Sequence, residues 1–144
     1  MKRPIEPSEI VESEDTEHLR PLKERVRDYI EQTDFVSFAE LANRFGDHFK
    51  GGDYGLEMRP NLVLWAGISQ EGFDAINQLL DERAIFSQSC SPLIYLADGM
   101  SLRFPIARRD RDYAKPHWAP MTLRPIARLS EAKRTHRAVP GRMP

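Results

Sequence analysis

The clearest pattern of hydrophobic and polar positions lies within residues 68–99. Hydrophobic residues recur there at spacings of three and four, which predicts an amphipathic helix over about 70–83. Its buried stripe consists of Phe73, Ile76, Leu79, Leu80 and Ala84. Ser69 is a suitable N-cap for this helix. Two β-prone runs separated by a small polar turn come next, and they predict a β-hairpin over 85–97.

Two further helices are predicted upstream of this one. Proline is tolerated in the first turn of a helix, so Pro21 indicates the start of a helix over about 20–32. Ser37 and Glu40 have the spacing of a capping box, which predicts a second, short helix over 38–45.

The segments around these helices predict connections and strands. Residues 46–60 contain four glycines and predict a long, mobile connection. Residues 62–65 are apolar and predict a short strand. Alternation of hydrophobic and polar positions predicts a further strand over 102–106, which Pro105 confines to a sheet edge or a strand end.

The two parts of the chain differ more in net charge than in hydrophobic content. Of the 144 residues 40% are hydrophobic and 30% are charged, but residues 1–100 carry 10 basic and 19 acidic groups, whereas residues 101–144 carry 11 basic and 3 acidic groups. Such asymmetry indicates an interaction segment. We therefore predict an acidic arm over 1–18, one domain over 19–107 and an extended, basic, proline-containing arm over 108–144.

The order of predicted elements resembles the winged helix-turn-helix superfamily over about residues 20–100. Residues 68–85 look like the third helix and the first wing strand of such domains, although the 46–67 connection is longer than the usual turn before that helix. The resemblance implies an α+β fold with three helices and a β-hairpin wing. It also implies DNA binding, with the third helix in the major groove.

The residues on the outer face of the predicted third helix argue against that mode of binding. This face is acidic or polar and carries no base: Glu71, Asp74, Gln78, Asp81 and Glu82. Carboxylates are repelled by the phosphates that line a DNA groove. The same face is a candidate protein interface. The arm is expected to lie on its own domain or on a partner subunit, and Trp118 is a candidate anchor of the arm and a candidate interface residue.

Basic side chains in the second half of the chain are the candidate phosphate contacts. They are Arg103, Arg108, Arg109, Arg111, Lys115, Arg124 and Arg128. Two hypotheses remain open. The first is a winged-helix, DNA-associated, regulator-like protein, expected to be a homo-oligomer, that binds DNA mainly through the basic arm. The second is a winged-helix adaptor that binds protein through the acidic third helix and the arm. In the second, these cations contact a partner or neutralise the acidic helix face or the acidic arm, since arginine and aromatic residues are enriched at interfaces.

The remaining candidate chemistry is sparse. No nucleophile, base and orienting group can be assembled from the sequence, so a non-enzymatic protein without a small-molecule substrate is expected. The histidines lack metal-ligand spacing, and neither a metal nor a cofactor is expected. Cys90, the single cysteine, is expected to be an exposed free thiol at the hairpin tip. The absence of a long apolar run and of a signal peptide predicts a cytoplasmic protein without a membrane partner.

Overall fold

The computed structural model describes residues 19–136, so the predicted acidic arm 1–18 and residues 137–144 lie outside the described part. The described part is α+β, as expected. Its helices are α1 (Leu22–Thr33), α2 (Phe38–Phe45), α3 (Gln70–Asp81), α4 (Pro92–Ala97) and α5 (Leu129–His136). Its strands are β1 (Val36–Ser37), β2 (Lys50–Arg59), β3 (Leu62–Ile68), β4 (Ile85–Ser89), β5 (His117–Trp118) and β6 (Met121–Pro125). Short 3-10 helices cover Gly46–His48 and Ile126–Arg128.

The three helices predicted from hydrophobic spacing and caps are confirmed within two residues. Ser37 and Ser69 cap α2 and α3, and each hydroxyl oxygen accepts a hydrogen bond from a backbone N–H of the first turn. Glu40 does not close a capping box: its carboxylate accepts a hydrogen bond from the hydroxyl of Tyr29 on α1. The Glu40 side chain therefore links two helices.

The first sheet has the strand order β1-β6-β4, with antiparallel pairing throughout. Leu123 at the centre of β6 faces Val36 on one side and Ser87 on the other. Helix α1 packs against α3 and against β6. Residues 117–125, which the charge pattern assigned to the basic arm, thus supply the central strand of this sheet and a strand of the second one.

The second sheet corrects the prediction of a mobile connection over 46–60. Strand β2 runs from Lys50 to Arg59 and pairs antiparallel with β3, which in turn pairs in parallel with β5. A glycine in β2 is required by close packing, because a Cβ atom at Gly52 would lie 2.4 Å from the carbonyl oxygen of Ile68. Gly52 thus permits the close approach of β2 and the end of β3, and the predicted strand over 62–65 is the first part of β3.

The predicted hairpin over 85–97 is wrong in its second half. Residues 85–89 form β4, but the next apolar run is helix α4, and the pairing partner of β4 is β6. The Ser91 hydroxyl caps α4 by accepting from the N–H of Leu93, and Pro92 occupies the first turn, where its fixed φ suits a helix. The predicted strand over 102–106 is also absent from the described part, where Ile106 forms only an isolated bridge to Trp118.

An aromatic cluster joins the two sheets. Tyr95 of α4 is fully buried, and its ring lies 5.0 Å from Trp118 and 5.2 Å from Trp65, measured between ring centroids. The Tyr95 hydroxyl donates to the carbonyl of Met121 at 2.6 Å and accepts from the N–H of Phe38 at 3.0 Å. A buried hydroxyl needs such partners, and these two connect α4 with α2 and β6.

Candidate nucleic-acid interface

The structure divides the seven candidate phosphate-binding side chains into two groups. Five of them are exposed and form no ion pair with any carboxylate within residues 19–136: Arg103, Arg108, Arg109, Arg111 and Lys115. We call residues 103–115 the basic segment. The other two, Arg124 and Arg128, are engaged in ion pairs within the fold.

The basic segment is held against the tip of the β2–β3 hairpin by its own acidic residues. The guanidinium group of Arg59, at the end of β2, donates to Asp112 at 2.9 Å and to Asp110 at 3.1 Å. These pairs are exposed, so they contribute little to the stability of the fold. They also affect charge, because Arg59 offsets one of the two negative charges that Asp110 and Asp112 place beside the cations of the segment.

Tyr113 fixes the backbone of the same segment. Its N–H donates to the carbonyl of Pro60 at 3.1 Å, and its carbonyl accepts from the amide of Asn61 at 2.9 Å. Its hydroxyl accepts from the N–H of Arg109 and donates to the carbonyl of the same residue. The guanidinium of Arg111 lies 4.3 Å from the centroid of the Tyr113 ring. The backbone is therefore ordered while the charged groups stay in solvent.

Arg124 has the opposite environment. It is 2% exposed, and its guanidinium donates to both carboxylate oxygens of Asp34 at 3.0 Å, to Gln88 at 3.0 Å and to Glu131 at 2.8 Å. It also lies 3.8 Å from the centroid of the Phe35 ring. These contacts join β6, β4, α5 and the end of α1.

The ion pairs with Arg124 lower the pKa values of the carboxylates around it. Burial by itself raises the pKa of Asp34, but hydrogen bonds from Arg124 and from the N–H of Phe35 outweigh burial and hold this pKa below its ordinary value. A hydrogen bond from Arg124 likewise lowers the pKa of Glu131. Both carboxylates therefore stay charged under ordinary conditions and keep the guanidinium occupied.

Two candidates, Arg124 and Trp118, are corrected by these environments, whereas Arg128 is not. Arg124 is buried and saturated with acceptors, so it is not available to a phosphate. Arg128 remains half-exposed but pairs with Glu131 at 3.3 Å and with Asp34 at 3.8 Å. Trp118 is 2% exposed, and its indole N–H donates to the carbonyl of Leu64, so it packs into the core of its own domain and is not exposed to a partner.

The acidic face of α3 lies in solvent, as the hydrophobic spacing predicted. Its five members are all exposed: Glu71, Asp74, Gln78, Asp81 and Glu82. Lys23 of α1 pairs with Glu82, and His48 lies 4.0 Å from Glu71. Among the side chains described, those of residues 19–132, Asp74 and Asp81 have no ion-pair partner.

A groove that the sequence did not reveal lies between the β2–β3 hairpin, α3 and the basic segment. Its volume is about 430 Å³, and Phe73, Asn77, Phe104 and Pro116 are among its lining residues. The sequence predicted a loop over 46–60 and not strand β2, whose residues form one wall of this groove. Three hydrophobic residues alternate with other residues in β2, and a Pro-Asn turn follows them: Tyr54, Leu56 and Met58. This alternation is the signal in the sequence that predicts strand β2.

Cys90 is a half-buried side chain and not an exposed thiol. Burial raises its pKa to about 12, which disfavours the reactive thiolate. Within residues 19–136 no histidine, cysteine and carboxylate side chains converge into a group that can hold a metal ion. None of the helices described there combines the length and hydrophobicity that a membrane crossing requires.

Comparison of the chain with known proteins gives no relative from which to take a function. No protein family, no curated protein sequence and no solved structure matches it. Function must therefore be inferred from the two surfaces and the groove described above.

Proposed function

We propose that this protein binds nucleic acid, with the basic segment providing the phosphate contacts. The observation that carries the proposal is the set of five exposed cations, free of ion pairs within residues 19–136, on a backbone that Tyr113 and Arg59 hold in place. An ordered cationic surface binds phosphates with less loss of conformational freedom than a disordered one. This mode does not require contacts with base edges.

The arrangement of helices and strands supports this proposal through the winged-helix interpretation. Helix α1, strand β1, helices α2 and α3, and strands β4 and β6 occur in that order along the chain, and the three strands share one sheet. In this interpretation β4 and β6 are the wing strands, the β2–β3 hairpin is an insertion before the third helix, and residues 90–120 replace a short wing turn. The basic segment then occupies the wing, an element that lies beside the DNA-contacting helix in such domains.

Helix α3 is not the reading element in this proposal. Its exposed carboxylates Asp74 and Asp81 would meet phosphates with unfavourable electrostatic energy. The expected binding is therefore dependent on salt and weak in sequence preference.

Fluorescence anisotropy of a labelled random-sequence duplex titrated with the full-length chain tests the proposal. The triple variant Arg108→Gln, Arg109→Gln and Arg111→Gln should bind at least about ten-fold more weakly than the unchanged protein, because up to three phosphate contacts are lost. A matched variant removes three cations from α2, β2 and the end of α3: Arg44→Gln, Lys50→Gln and Arg83→Gln. Equal losses in the two variants would contradict a specific role for the basic segment.

A second candidate function is an adaptor or homo-oligomer that uses the acidic face of α3. The exposed Asp74, Gln78 and Asp81 favour it, since they form a polar surface that a basic partner or the basic segment of a second copy would complement. Size-exclusion chromatography with light scattering tests this alternative. Substituting Asp74→Lys and Gln78→Lys should dissociate such a complex, and an unchanged mass would count against this face.

A further inference from the structure

The groove beside the basic segment combines aromatic walls with polar edges. Phe104 from the basic segment is 36% exposed, and it lines the groove together with Phe73 and Asn77 of α3. The Phe73 ring packs against Tyr54 of β2, with 5.1 Å between their centroids. A volume of about 430 Å³ lies within the range of roughly 300–1,000 Å³ that is typical of sites for organic groups.

Charged residues of both signs neighbour the lining residues along the chain. Arg103 directly precedes Phe104 and Lys115 directly precedes Pro116, so exposed cations flank this side of the lining in sequence, whereas the exposed Asp74 follows Phe73 on the α3 side. Glu57 of β2 also lines the groove, and its carboxylate repels phosphate but can accept hydrogen bonds from the amino groups of bases. This distribution fits an occupant with a planar, uncharged body and an anionic backbone.

We propose that the groove holds an unpaired base of a single-stranded nucleic acid, with the base against Phe104 and the adjoining phosphates at Arg103 and Lys115. The inference rests on the proposed function, since it assigns a ligand class to the same surface. In a duplex both faces of each base are covered by its neighbours. An exposed aromatic side chain next to cations therefore favours a single strand, as in other surfaces that bind unpaired nucleic acid.

The sharpest experiment separates the base from the phosphates. Anisotropy titrations of the full-length chain compare a labelled oligodeoxycytidine, an oligodeoxyadenosine and an abasic strand of equal length, since cytosine and adenine carry the amino groups that Glu57 can accept from. We expect the unchanged protein to bind at least one of the two base-containing strands about ten-fold more tightly than the abasic strand. The variant Phe104→Ala should remove that difference while leaving affinity for the abasic strand unchanged, and Phe104→Tyr should retain it.

Two further variants distinguish stacking from a general disturbance of the fold. Ala66→Phe keeps Phe104 but fills the groove, so it should also abolish the preference for bases. Leu93→Ala removes an exposed apolar side chain from α4, away from the groove lining, and should change nothing.

The outcomes separate this inference from the proposed function. Equal binding of all strands by the unchanged protein, or a preference for bases that survives both Phe104→Ala and Ala66→Phe, would overturn the groove as a base site while leaving phosphate binding intact. Absence of binding to every strand and to duplex would overturn both proposals together.

Discussion

Arg124 and Arg111 lie in the same basic part of the sequence, yet they differ in burial and in the side chains that surround them. Arg124 is 2% exposed and donates hydrogen bonds to Asp34, Gln88 and Glu131. Arg111 is exposed, lies over the ring of Tyr113, and forms no ion pair within residues 19–136. The first side chain holds four elements of the fold together, whereas the second is available to a ligand.

The difference between these two regions shows that the number of arginines does not define an anion-binding surface. A buried guanidinium that has lost its water must be matched by acceptors, and once matched it has no capacity left for a phosphate. An exposed guanidinium keeps its water and can exchange it for a phosphate at little cost. Burial and the number of partners thus separate a structural arginine from arginines that remain available to a ligand in this chain.

The largest expected effect is on folding, when the chain is cut at the predicted boundary between the domain and the basic arm. A chain truncated after Ala107 loses β5 and β6, the latter being the central strand of the first sheet, together with Arg124. We expect this truncation not to fold, as measured by circular dichroism and thermal melting. A chain ending at His136 retains every described element and is the control. A cooperative melt of the shorter chain would show that residues 108–136 form a separable arm.

The next effect is the difference between substitutions of the two arginines. Arg124→Ala leaves the Asp34 carboxylate without its main partner and should lower the free energy of unfolding by about 3 kcal/mol in urea denaturation. Arg111→Ala should change it by about 0.5 kcal/mol or less. Arg124→Lys should recover only part of the loss, because lysine cannot form the paired hydrogen bonds to Asp34. Equal effects at positions 111 and 124 would contradict the comparison.

A smaller effect is expected in the pH dependence of stability. The folded protein holds the pKa of Asp34 below its ordinary value of 3.8. The unfolded chain therefore binds the proton more readily, and the stabilisation by this carboxylate is complete above that value and is lost as pH falls through the lower folded pKa. Urea denaturation at a series of pH values should show the advantage of the unchanged protein over Asp34→Asn shrinking below about pH 4. If the two proteins differ in stability by the same amount at every pH, then the charge on Asp34 does not contribute to its pairing with Arg124.

Local signals in the sequence were sufficient for part of the fold. Helices α1, α2 and α3 are predictable from hydrophobic spacing and from Ser37 and Ser69 as caps, because these features act over one or two turns. Helix α4 was missed because its residues have high β-propensity, although Ser91 before Pro92 is itself a helix start signal. Strand β2 was missed because its glycines favour a loop when their packing partners are unknown.

The two roles of arginine could not be separated from the sequence. The partner of Arg124, Asp34, lies 90 residues away along the chain, so the pairing depends on β6 lying beside the end of α1. The groove likewise depends on Phe104 meeting α3 across a long stretch of chain. The acidic face of α3, in contrast, was predictable because a helix displays its residues to solvent at a fixed period.

The most direct test of the central claim is the salt dependence of nucleic-acid binding. The logarithm of the binding constant falls linearly with the logarithm of the salt concentration. On duplex DNA each neutralised phosphate adds about −0.9 to the slope of this line. We expect a slope for the triple variant of Arg108, Arg109 and Arg111 that is shallower than that of the unchanged protein by about 2 to 3, with an unchanged melting temperature. Identical slopes for the two proteins would contradict phosphate contact by the basic segment.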